Sequence, residues 1–82
     1  MLTELGNGVV LLVDNLPARQ WKGLGLRTSL KFENLDNRSE SLIGPFQYKS
    51  EAIKAIRNYS ALHPDDSFNI YCCGQYIGGT EV

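Results

Sequence analysis

From Ser50 to Leu62 the apolar positions recur at helical spacing. Ala52, Ile53, Ala55, Ile56, Tyr59 and Leu62 gather on one face, and Glu51, Lys54, Arg57, Asn58 and Ala61 gather opposite. Ser50 is the expected N-cap, Glu51 sits where the helix dipole favours an anion, and Pro64 ends the run. A helix this short is not stable alone in water, so its apolar face needs a surface to bury against. The rest of the chain offers a sheet. Leu26, Thr28, Leu30 and Phe32 alternate with Arg27, Ser29, Lys31 and Glu33, the period of a half-buried strand with a charged outer face. Phe68 to Cys72 alternates in the same way. Val9 to Val13 is apolar without interruption, which predicts a central strand covered on both faces.

Between these runs the polar and glycine-rich positions predict the connections. Asn34 to Ser39 is a turn, after which Glu40 to Ile43 returns as a strand. Gly44 and Pro45 break it, because proline has no ladder donor, and Phe46 to Tyr48 resumes it briefly. Residues 17–25 read as a loop or 3₁₀ turn, since Gly23 and Gly25 would stop a helix after barely one turn. Gly74, Gly78 and Gly79 loosen the tail. The expected fold class is α+β: a three- to four-stranded, mainly antiparallel sheet with one amphipathic helix packed on one face, in the order β-β-β-α-β.

At 82 residues the chain is one domain, spanning 1–82, with a single core layer between sheet and helix. A net charge of −1 gives no global field to recruit nucleic acid or membrane. The charge is unevenly placed. Arg19, Lys22, Arg27 and Lys31 follow one another with no acid between them, whereas beyond Arg57 only Asp65, Asp66 and Glu81 are charged, besides His63. Cys72 and Cys73 are adjacent, so on a strand they point to opposite faces and read as reduced thiols, which suits the cytoplasm. The N-terminus lacks a basic signal-peptide region, and the apolar run there is too short for a membrane span.

Catalytic, cofactor and metal chemistry find no footing. His63 with Asp65 and Asp66 lacks a second histidine or cysteine in register for zinc, and reads as a helix C-cap. Cys72 and Cys73 lack the Cys-x-x-Cys spacing of redox and zinc sites, and His63 is the only imidazole available as a base. Gly23-Leu24-Gly25 is followed by no Gly-Lys-Ser/Thr and makes no phosphate loop. What remains is a contact surface. Arg19, Trp21, Lys22, Arg27 and Lys31 combine cations with the one tryptophan, the residue types enriched at interface hot spots.

The run Leu11-Leu12-Val13-Asp14-Asn15-Leu16-Pro17 resembles the first-strand motif of the RNA recognition motif family. Phe46 followed by Ala52, Ala55 and Ile56 resembles the spacing from that family's third strand into its second helix. The resemblance implies a sheet that stacks RNA bases on aromatic rings, at positions that fall on Leu12, Ser41 and Ile43. None of the three is aromatic. The leading expectation is therefore a non-enzymatic protein-binding module, an inhibitor or adaptor that docks on a larger protein or complex, of the kind phages and mobile elements encode. The alternative is a nucleic-acid-binding domain with an RNA-recognition-motif-like sheet lacking the stacking aromatics. No cofactor and no membrane are expected as partners, and an open sheet edge would allow a homodimer.

Overall fold

A computed structural model describes residues 2–12 and 28–80. Six strands and one helix follow in the order β-β-β-β-α-β-β among the described residues. They are β1 (Leu2–Gly6), β2 (Val9–Leu12), β3 (Thr28–Asn34), β4 (Glu40–Phe46), α1 (Lys49–Leu62), β5 (Phe68–Cys72) and β6 (Gln75–Gly79). They form one antiparallel sheet in the spatial order β1-β2-β6-β5-β3-β4. The fold is α+β, but the sheet has six strands rather than three or four.

Each extra strand has a physical origin. β1 and β2 are joined by the turn at Asn7 and Gly8, both at positive φ, so the residues before the turn pair back on those after it. β6 pairs with β5 across a turn at Cys73 and Gly74, again both at positive φ, and then with β2. The glycines of the tail do not loosen it; they let it enter the sheet. β2 is likewise not covered on both faces, because burial alternates along it: Val9 and Leu11 are buried, Val10 and Leu12 half-buried. β4 runs through Gly44 and Pro45 rather than ending there. At this edge the register with β3 slips between Thr28 and Leu30, absorbing one extra residue of β4. Gly44 is required, since it has φ +137° and a Cβ on it would lie 2.9 Å from the Ser29 Cα.

α1 lies on the inner face. Ala52, Ile56, Tyr59 and Ser60 are its buried residues. Leu62, expected on that face, is 77% exposed. At 3.6 residues per turn Ser60 sits about 40° from Ile56 around the axis, and Leu62 about 120° away. The N-cap is Tyr48 rather than Ser50, and it makes no side-chain cap bond. Glu51 Oε2 instead accepts from the Gln47 N–H at 3.3 Å, satisfying a donor just outside the first turn. At the other end His63 is the C-cap as expected, its N–H donating to the Tyr59 carbonyl at 3.0 Å.

The core joins Val9, Leu11, Leu30, Phe32, Phe68, Ile70 and Ile77 of the sheet to Ala52, Ile56 and Tyr59 of the helix. Three rings fasten the layers together. Tyr59 stacks on Phe32 with centroids 4.5 Å apart and meets Phe68 edge-on at 4.8 Å. Beside them Asn34 is fully buried and fully used. Its Nδ2 donates to Tyr59 Oη at 3.2 Å and Asp66 Oδ2 at 3.0 Å, and its Oδ1 accepts from the Asp36 and Asn37 N–H groups. His63 Nδ1 lies 3.2 Å from the same Asp66 oxygen, with its ring 4.5 Å from that of Tyr59. His63 and Asp66 thus belong to a structural latch at the end of α1. Among the described residues no helix is long and apolar enough to cross a membrane.

Candidate interaction surface on the outer face of the sheet

With α1 on one face, strand alternation sends every second side chain to the other. No described element covers that outer face. Cross-strand register lays one row over it, Leu42 of β4, Lys31 of β3, Tyr71 of β5 and Tyr76 of β6. A second row holds Glu40, Glu33 and Asn69, and continues over Gly79 and Val10 to Glu4 of β1.

The first row is ordered by contacts between its own members. Lys31 Nζ sits 3.3 Å from Glu40 Oε2 and 5.0 Å from the centre of the Tyr71 ring. The ammonium is thus held between a carboxylate and an aromatic face, two favourable but exposed contacts. Tyr71 meets the Tyr76 ring at 5.8 Å in an edge-on arrangement. Leu42, their neighbour, is 75% exposed. Around it lies an open depression of about 350 Å³ lined by Ser29, Lys31, Leu42, Tyr71, Cys73 and Gly74. A second depression, about 360 Å³, is lined by Glu33, Asn34, Leu35, Arg38 and Glu40.

Of the contact residues expected from sequence, Lys31 lies on this face, while Arg19, Trp21, Lys22 and Arg27 lie outside the described residues, as does the expected loop over 17–25. Among the described residues Glu40 answers the charge of Lys31 and Glu33 flanks it. The positions suggested by the RNA recognition motif divide between the faces. Leu12 is half-buried on the outer side, whereas Ile43 packs against the core on the helix side and Ser41 shares its face by alternation. Among the described residues the rings paired on this face are Tyr71 and Tyr76, which sequence reasoning did not single out. Tyr71 could have been found from the alternation of β5; Tyr76 could not without β6.

The two cysteines divide as their adjacency requires, Cys72 buried and Cys73 exposed. Burial, helped by the neighbouring Cys73, pushes the Cys72 thiol up to about 12, so at neutral pH it is a protonated core residue rather than a nucleophile. Cys73 stands in the wall of the first depression, at φ +54° in the β5–β6 turn. Among the described residues no group of three or more His, Cys, Asp or Glu could hold a metal ion.

The fold and this surface define a small α+β domain whose antiparallel sheet carries a helix on one face and a mixed apolar and charged row on the other. Compared with known proteins, the chain matches no family model, no curated protein and no solved structure.

Proposed function

We propose that the protein is a non-enzymatic binding module that docks on a larger protein or complex, as an inhibitor or adaptor, through the outer face of its sheet. The observation that carries this is Leu42. It is a large apolar side chain, 75% exposed, set beside Tyr71 and Lys31 on the face turned away from the helix. There it contributes little to the chain's own core. Buried against a partner it would supply the apolar centre of an interface, with the tyrosine ring and the Lys31–Glu40 pair around it.

A nucleic-acid reading draws some support from Tyr71 and Tyr76, since rings on a sheet can stack bases. The charges on the same face weigh against it. Lys31 is committed to Glu40, and Glu33 and Glu40 would stand against phosphate. Salt separates the two readings, because phosphate contacts make affinity fall linearly with log salt.

The test is capture on the immobilised chain, followed by size exclusion of the eluted complex, with Leu42→Ser as the paired control. The proposal expects a protein partner retained by the wild type and lost by the variant. A wild-type chain that captures nothing, or a capture indifferent to Leu42→Ser, contradicts it.

A further inference from the structure

We infer that the partner segment seated on this face is basic and carries an apolar anchor: an aliphatic or aromatic side chain packed on Leu42 beside Tyr71, with a lysine or arginine reaching Glu33. This rests on the docking reading above and adds the partner's chemistry to it.

The first support is charge. Among the described residues the outer rows carry Glu4, Glu33 and Glu40 against one cation, Lys31. Of the other cations of the described residues, Lys49, Lys54 and Arg57 stand on α1, and Arg38 of the β3–β4 turn borders the depression with Glu33 and Glu40. The second support is register. Glu33 and Glu40 are directly opposite each other on neighbouring strands, a pairing of like charges that destabilises a sheet. Lys31 answers Glu40, and Glu33 has no ion pair among the described residues. A cation from a partner would relieve that repulsion as it binds. The third support is spacing. Lys31 and Glu33 lie two residues apart on β3, so the apolar depression and the carboxylate are roughly 7 Å apart along the strand. Side chains at i and i+2 of an extended segment, or at i and i+3 or i+4 of a helix, span that distance. An anionic segment fits less well, since the depression around Glu33 offers one guanidinium, Arg38, against two carboxylates.

The probe is a random-peptide library displayed on phage and panned against the immobilised full chain, with enriched peptides synthesised and titrated by fluorescence anisotropy. The expected peptides pair a Lys or Arg with a large apolar residue at one of those spacings. Glu33→Gln, which keeps the side chain's shape, should weaken them by about tenfold, with a similar loss for Leu42→Ser. Glu33→Gln should also raise the melting temperature slightly, because it removes the Glu33–Glu40 repulsion. Peptides that need Leu42 but lack cations, or that ignore Glu33→Gln, overturn the inference and leave the docking face standing. Peptides that ignore both substitutions contradict the docking face as well. A library that yields no binder, or a peptide displaced by single-stranded oligonucleotide in a salt-dependent way, overturns the inference.

Discussion

Gly78 sits where a side chain has no room. It has φ +154°, and a Cβ would fall 2.2 Å from the Val10 carbonyl oxygen and 3.0 Å from the Leu11 Cα, both backbone atoms of β2. Gly78→Ala therefore forces β6 away from β2, and we expect it to cost about 2–4 kcal/mol in a urea melt. A substitution cost below about 0.5 kcal/mol would show that β6 does not enter the sheet at this point. Cys72 gives a prediction of a different kind. The unfolded chain ionises this thiol near its ordinary 9.0, while the fold holds it protonated to about 12. Between those values the unfolded state binds fewer protons, so stability falls as pH rises, by up to about 1.4 kcal/mol per pH unit from this group. Well below pH 9 the group contributes almost no slope. Urea midpoints followed from about pH 8 to about pH 11 should show that fall in the wild type and a shallower one in Cys72→Ala. In the folded protein at neutral pH, a thiol reagent should label Cys73 and leave Cys72 until the chain unfolds.

Among the elements, α1 and β3 are the pair on which the rest is built. Tyr59 stacks on Phe32, and Asn34 at the end of β3 ties Tyr59 to Asp66 beyond the helix. Phe32→Ala removes the ring at the centre of this contact and should cost about 3–5 kcal/mol, enough to unfold a domain of this size at moderate temperature. Tyr59→Phe keeps the ring and removes one of the two acceptors of the Asn34 amide, for about 1 kcal/mol. The helix, β3 and β5 were legible in the sequence because each carries a clean period, 3.6 or 2, over enough residues to be distinctive. β1 and β6 were not. β1 has five residues with only Leu2 and Leu5 strongly apolar, and β6 is short and closes on Gly78 and Gly79, the residue type that usually ends strands. Their pairing comes from tight turns and from partners distant in sequence, β6 against β2 above all, which no local period records. The two sheet edges differ in the same way. β4 is blunted by Pro45 and the register slip at Gly44, so a homodimer formed by strand addition would have to use β1.

Taken whole, the molecule places its helix and most of its described cations on one side, and three carboxylates, one lysine and an apolar row on the other. The candidate surface was half legible. The alternation of β3 exposed Lys31 and Glu33, but their meaning depends on Glu40, Leu42 and Tyr71, brought beside them by cross-strand register. Of the basic stretch counted along the chain only Lys31 is among the described residues, and there the sheet sets Glu33 and Glu40 beside it. The central claim is that this outer face, and not the helix, meets the partner. Site-specific photo-crosslinking tests it most directly, with a photoreactive amino acid placed at Leu42 in one variant and at Arg57, on the solvent side of α1, in another. Capture of a protein crosslinked through position 42 but not through position 57 is the predicted result. Crosslinking through 57 with none through 42 would contradict the account.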